Sequence, residues 1–284
     1  MARSYLFTPA HQPRLVASAH ERGADVVLLD LEDSVPAARK AEARASLPAA
    51  VAALASHGAR VAVRVNAGLG DLARDIEAAA LPGVEALMVP KVASAAVLRL
   101  VADHLTSCEP AGQPPIGLIA LIETAEGLLH APAIARAPRV TALAFGTEDF
   151  SADCGFDPTP ESLTHPAQHL IWAARAAGLA ALGLPGSIAD VADAERFAAA
   201  AALGQRLGFD GALCIHPRQV EIVNQIFAPS DAALEHARRL VAASAAAEAE
   251  GRGAVLFEGR MVDPPIVARA VRLLRQSPGH KARA

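Results

Sequence analysis

Glu123, Asp149 and Arg64 are the residues of this 284-residue chain whose types and positions point most directly to chemistry. Each stands at or near the end of a short apolar run, in IGLIALIET, TALAFGTED and RVAVRVN respectively. Two carboxylates brought together, with waters and substrate oxygens completing the shell, suit Mg²⁺, which uses few protein ligands. Either acid alone would serve equally well as a charge at the start of the next helix; the matched pair favours a metal. A guanidinium at the end of an apolar run needs an anion, and its planar fork suits a carboxylate or enolate oxygen. A salt bridge to Asp30, Glu32 or Asp33 is the alternative for Arg64, and it is compatible with substrate contact.

Asp30-Leu31-Glu32-Asp33 places three acids just before a helix, with Lys40 and Arg44 available to neutralise some of that charge. The cluster is read mainly as support that orients Arg64 and metal-bound water, not as direct ligands. His216 has no second histidine at ligand spacing, which disfavours zinc and leaves it a structural role. Lys91, ending ALMVPK, is read as a structural or electrostatic group at a strand end.

These residues need a frame that presents strand ends to one place. Eight apolar runs recur: Ser4–Thr8, Val26–Asp33, Arg60–Asn66, Ala86–Lys91, Ile116–Thr124, Thr141–Asp149, Leu179–Pro185 and Gly211–His216. Helical stretches lie between them, expected at Ala37–Leu47, Leu72–Ala80, Ser94–His104, Ala125–Ala135, Pro166–Ala177 and Asp190–Leu207. Strands alternating with helices at such spacing predict an α/β fold, a TIM (β/α)8 barrel with its chemistry at the C-terminal strand ends. A Rossmann-type sheet is the alternative, but no GxGxxG follows any strand. The barrel is expected to occupy 1–228 as the catalytic domain, closed by a helix at Val220–Phe227. Beyond Pro229, Ser230 caps a long helix at Ala232–Glu250. An extended piece at Ala254–Phe257, a turn at Gly259 and a helix from Pro264 to Leu274 then follow. Residues 229–284 thus form a helical extension, which on barrels commonly packs against a neighbouring subunit.

Composition excludes several function classes. Net charge is −4 and aromatics are 4%, which leaves neither a basic field nor a stacking surface for nucleic acid. No apolar stretch approaches a membrane span. Cys108, Cys154 and Cys214 show no CxxC spacing, and an odd unpaired set reads as reduced thiols in a cytoplasmic protein.

The ordered segments RSYLFTPAHQPR, ADVVLLDLEDSVPAARKAEAR, VAVRVN, LMVPK, LIETAEGL, FGTEDF, GFDGALCIHPRQVEIVN and EGRMVDPP extend from Arg3 past Pro264. In this set the chain resembles the HpcH/HpaI aldolase and citrate lyase beta-subunit family, in its CoA ester lyase branch. The resemblance implies a TIM barrel with a helical extension, assembled as a homotrimer or hexamer. It implies that Glu123 and Asp149 bind Mg²⁺ and that Arg64 contacts substrate oxygens. It further implies that Arg14 lies where CoA phosphates are met, and that Asp263 is an acid inserted into the next subunit's site. Ala10 and Ser18 depart from the pattern, standing where relatives carry a glycine and often a lysine. The implied reaction cleaves or forms a 3-hydroxyacyl-CoA thioester such as malyl-CoA or citramalyl-CoA, with a 2-oxoacid and an acyl-CoA as the other pair. Two alternatives stay open: a citrate lyase beta subunit acting on a carrier-protein citryl thioester, and a non-catalytic barrel that binds CoA esters.

Overall fold

The computed structural model describes residues 2–189 and 191–275, the side chain of Arg275 excepted. The chain divides into two compact units, Ala2–Phe227 and the stretch from Ala228 onward. In the first, eight parallel strands run β1 (Ser4–Pro9), β2 (Val26–Asp30), β3 (Val61–Arg64), β4 (Val84–Val89), β5 (Gly117–Ile122), β6 (Val140–Phe145), β7 (Ala180–Leu182) and β8 (Ala212–Cys214). Each of β1 to β6 pairs with the next in sequence, and β8 pairs with β1. A parallel bridge between Leu182 and Gly211 joins β7 to β8 and closes the ring. The expected barrel is the observed one.

Strand alternation sorts the apolar residues into two separate clusters. Val26, Leu28, Ala62, Met88, Ile119, Leu121, Ala144 and Leu213 belong to a cluster made of strand residues, the barrel interior. Their neighbours Val27, Leu29, Val63, Leu87 and Ala120 pack instead with the helices. A strand turns successive side chains to opposite faces, so this parity continues past the interior layer to the mouth. Asp30 follows Leu28 at the same parity, Arg64 follows Ala62, Glu123 follows Leu121, Gly146 follows Ala144 and Ile215 follows Leu213. Asp30, Arg64 and Glu123 therefore come to the barrel mouth by register alone.

The helices between strands bury one stripe each; Lys40–Ser56 buries Ala43, Leu47, Ala50, Val51 and Leu54. Four local details differ from the sequence reading. A 3₁₀ turn at Ala37–Arg39 precedes the helix expected from Ala37. The segment Ala125–Ala135 divides into Ala125–Leu129 and Ala131–Ile134. The helix expected from Pro166 begins at Pro160, because Thr159 and Ser162 form a capping box there, and Pro166 falls in its interior. The helix expected from Asp190 is observed as Ala194–Leu207, with Asp193 accepting from the Arg196 amide; Asp190 lies outside the described residues.

In the second unit, Ser230 caps the helix Asp231–Ala249 by accepting from the Ala233 amide. Strands β9 (Val255–Phe257) and β10 (Arg260–Val262) form an antiparallel hairpin. Its turn has positive φ at Glu258 (49°) and Gly259 (77°), as a two-residue hairpin turn requires. The helix Pro264–Arg275 follows, and Ala237, Leu240, Val262 and Ala270 form the unit's own apolar cluster. Among the described residues no helix is long and apolar enough to cross a membrane.

Candidate active site

A cavity of about 430 Å³ opens at the C-terminal strand ends, with Asp30, Arg64, Glu123 and Asp149 in its lining. Asp30 and Arg64 are register partners on β2 and β3, which accounts for their two-point contact. Arg64 Nε donates to Asp30 Oδ1 and Nη2 to Oδ2, both at 2.7 Å. Nη1 lies 2.8 Å from Glu32 Oε2, without a hydrogen-bonding angle, and donates to Asp33 Oδ2 at 3.3 Å. The Phe7 ring covers the guanidinium, 4.5 Å from Cζ.

The salt bridges that the sequence leaves as an alternative are thus present, while Arg64 still lines the cavity. Burial opposes the charge on Arg64, but the bonds from Asp30 and the fields of Glu32 and Asp33 outweigh it and stabilise the cation. Burial likewise pushes Asp30 upward, yet the Arg64 bonds prevail and hold its carboxyl below the usual range. Glu32 has no such compensation: burial raises it to about 7, with Arg64 opposing and Asp33 adding.

Lys40 and Arg44 do not neutralise the acid side chains. Lys40 Nζ donates to the carbonyl oxygens of Leu31 (3.0 Å) and Glu32 (3.1 Å) and to Asn66. Arg44 instead pairs with Asp71 and Asp75.

Glu123 immediately follows β5 and is 2% exposed. It does not cap the next helix; Thr124 does, accepting from the Gly127 amide. Glu123 Oε2 accepts from the Lys91 amide at 2.7 Å, with Lys91 in the left-handed region at φ 51°. Lys91 Nζ stands 3.7 Å from Glu32 Oε1. Burial pushes Glu123 up to about 8, and Glu32 and Asp149 add to the rise.

Asp149 is not at the equivalent position. Register sets Ile122 against Phe145, so the counterpart of Glu123 is Gly146. Asp149 lies three residues further on, in the first turn of the helix Thr147–Cys154, which the sequence reading took as strand end. A helix N-terminus favours an acid there in any case. Gly146 is what lets the two carboxylates face one cavity, because a Cβ at that position would come within 2.5 Å of Glu123 Cγ.

Of the other expected residues, Arg14 is exposed on the helix Pro13–Ser18, and its side chain makes no polar contact among the described residues. His216 caps the helix Pro217–Ile226, its Nδ1 accepting from the Arg218 amide at 3.2 Å. Asp263 belongs to the second unit, where its Oδ1 accepts from the Ile266 amide at 3.4 Å. Sequence reasoning gave no role to Glu148, whose Oε1 accepts from Ser187 Oγ at 2.5 Å and from the Ile188 amide at 3.1 Å. It gave none to Gln219 either; only strand alternation, carried past the apolar layer, would have singled out Gly146.

Two carboxylates, one of them buried, form a hard-oxygen donor pair beside Arg64, the guanidinium of the described lining. Among the described residues no three His, Cys, Asp or Glu side chains converge as a metal cluster. That leaves a two-carboxylate arrangement, open on its remaining sides.

Comparison with known proteins bears on the reaction class. The HpcH/HpaI aldolase/citrate lyase family matches residues 3–217. A citrate lyase subunit beta-like protein of Deinococcus radiodurans is 37% identical, over 96% of each chain. An L-malyl-CoA/beta-methylmalyl-CoA lyase of Cereibacter sphaeroides is 35% identical, over 97% of this chain and 94% of that one. The crystal structure of CitE from Mycobacterium tuberculosis, in complex with magnesium, acetoacetate and coenzyme A, superposes with a TM-score of 0.78. It is 36% identical and covers 97% of each chain. With its barrel and its matched sequence from strand β1 through β8, the chain belongs to the HpcH/HpaI aldolase/citrate lyase family, a family of carbon–carbon lyases.

Proposed function

We propose that this protein is a Mg²⁺-dependent lyase that cleaves or forms a 3-hydroxyacyl-CoA thioester such as malyl-CoA or citramalyl-CoA. The products of cleavage are a 2-oxoacid and an acyl-CoA. The observation that carries this reading is the meeting of Glu123, Asp149 and Arg64 in one cavity at the barrel mouth.

The residues present fit a divalent cation. A carboxylate that is 2% exposed and raised to about 8 by burial and by neighbouring acids needs a positive partner in order to ionise at neutral pH. Glu123 and Asp149 would hold the ion, and oxygen ligands suit Mg²⁺. When bound, it supplies Lewis acidity and charge neutralisation to substrate oxygens.

Arg64 stabilises the oxygen charge that develops as the carbon–carbon bond breaks, using Nη2, which has a second N–H beyond the one given to Asp30. Asp30, Glu32 and Asp33 hold the guanidinium in place and limit its net charge. Asp263, reaching in from a neighbouring subunit, protonates the enolate carbon of the acyl-CoA half, or takes its proton in the condensing direction. Arg14, an exposed guanidinium, meets CoA phosphates. The described part of the extension, residues 229–275, packs on the neighbouring subunit, in a trimer or hexamer.

One observation favours a malyl- or citramalyl-type thioester over a citryl thioester. The cation in the described lining is Arg64, and three carboxylates already oppose it. Beyond the bound ion and Arg64, the described lining holds no further cation for a second free carboxylate on the substrate half, and burying that charge unpaired is costly. Incubating the purified protein with malyl-CoA, citramalyl-CoA and a carrier-bound citryl thioester, with Mg²⁺, tests the reading. We expect a 2-oxoacid and an acyl-CoA in equal amounts from a CoA ester. Turnover of the carrier-bound substrate alone would point to the citrate lyase beta role, and tight CoA-ester binding without cleavage to a non-catalytic barrel.

A further inference from the structure

Outside the residues given roles above, the cavity has an apolar side, to which Ile188, Ala189, Leu213 and Ile215 contribute. Leu213 belongs to β8, and Ile215 lies one residue past the strand's end. Ile188 and Ala189 sit on the loop that follows β7, which has no regular structure of its own at these residues. An unsupported loop would make a poor wall, because its position would vary by more than the width of a methyl group.

This loop is held from two sides. Thr147 Oγ1 donates to the Gly186 carbonyl at 2.8 Å, and Glu148 accepts from the Ser187 hydroxyl and the Ile188 amide. From the opposite side, Gln219 Nε2 donates to the Ile188 carbonyl at 2.8 Å, and Gln219 Oε1 accepts from the Ile215 amide at 2.8 Å. Both backbone polar groups of Ile188 are therefore bound by side chains from two different helices. Gln219 is 2% exposed, on the helix Pro217–Ile226. Its partners, one amide and one carbonyl, fix which way the side-chain amide faces. A glutamine supplies the donor and acceptor this bridge needs; a carboxylate would turn an oxygen toward the Ile188 carbonyl.

We propose that Gln219 is a positioning residue for the lyase reaction: its buried amide ties the wall at Ile188 to the wall at Ile215 and sets the width available to the substituent on the substrate. Gln219 touches no reacting atom. It acts through the two isoleucines, whose spacing decides whether an added methyl is accommodated; one methylene in an apolar pocket is worth about 10-fold or more in discrimination. The proposal rests on the cavity being the thioester site described above.

The test uses Gln219→Leu, which removes both bonds, and Gln219→Glu, which keeps the acceptor for Ile215 and loses the donor to Ile188. In both variants KM for the thioester should rise about 10-fold while kcat stays within about 3-fold of wild type. The ratio of kcat/KM for malyl-CoA and citramalyl-CoA, which differ by a methyl, should shift by about 3-fold or more. Deuterium uptake at residues 186–189 should be faster in both ligand-free variants, with strands β1 to β6 unchanged. Unchanged uptake in both variants would overturn the tether. Faster uptake with unaltered KM and ratio, or KM and kcat failing together with a lowered melting temperature, would overturn the positioning role. If the wild-type protein turns over neither thioester, the proposed function fails and the specificity role with it, while uptake still reports on the tether.

Discussion

At the scale of single residues the site is organised by how charge is compensated. Arg64 is 8% exposed and Asp30 is fully buried, and their two-point contact is the best-made interaction in the cavity. Arg64→Lys should lower kcat/KM by about 100-fold with the fold intact, because a point charge reproduces neither the fork nor the grip of Asp30. Steady-state kinetics beside a thermal melt checks this; wild-type turnover in the variant would return Arg64 to a structural role. Asp30→Asn should destabilise the protein by about 3 kcal/mol near neutral pH, since it breaks a buried pair. The pH dependence has a definite sign. Asp30 is held below its unfolded value of about 3.9, so its contribution is complete above that pH and is lost as pH falls through the folded value. The stability gap between wild type and Asp30→Asn, from denaturant titrations, should shrink as pH falls below about 4. Arg64, Glu123 and the acid cluster were legible in the sequence because each interrupts or ends an apolar run. The pairing of Arg64 with these acids was legible as an alternative, but not that Asp30 takes the two-point contact, because that depends on register between β2 and β3, which no single run encodes.

At the scale of elements, strand parity carries the argument. The alternation that builds the interior from Leu28, Ala62 and Leu121 also delivers Asp30, Arg64 and Glu123 to the mouth. Asp149 escaped this logic, because TEDFSADC reads as the tail of a strand and a polar loop, yet forms the helix Thr147–Cys154. Helix and strand cannot be separated by periodicity over so few residues. Gly146 ties the two carboxylates together, and Gly146→Ala should displace Glu123 and lower kcat/KM by about 10-fold or more, with a far smaller change in melting temperature. Within β8, burial raises the Cys214 thiol to about 12. In the native protein at pH 8, Cys214 should resist iodoacetamide while Cys108 reacts, and it should react once denaturant is added. Native-state labelling of Cys214, located by mass spectrometry of the peptides, would contradict the buried β8.

At the scale of the whole molecule, the barrel was the most legible feature, because eight apolar runs at βα spacing leave few other architectures. The second unit was legible as helix, extended piece, turn and helix from Ser230, Gly259 and Pro264, which are local signals, while the second strand of its hairpin, Arg260–Val262, was not. What the unit does was not legible, because a role between subunits, as proposed above, would leave no local mark. Asp263 has one oxygen engaged at the start of the helix Pro264–Arg275. Asparagine caps a helix as well as aspartate, so Asp263→Asn should fold normally and lose proton transfer. If Asp263 acts across a subunit boundary, mixing that variant with Arg64→Ala under confirmed subunit exchange should restore part of the activity. No recovery would place its action within its own chain, or nowhere. The most direct test of the central claim is 2-oxoacid release from the best CoA ester as a function of free Mg²⁺, in wild type, Glu123→Gln and Asp149→Ala. Mg²⁺ dependence through Glu123 and Asp149 requires saturable turnover in wild type, loss with EDTA that added Mg²⁺ reverses, and a fall of about 100-fold or more in both variants. Turnover that survives both EDTA and Asp149→Ala would contradict it.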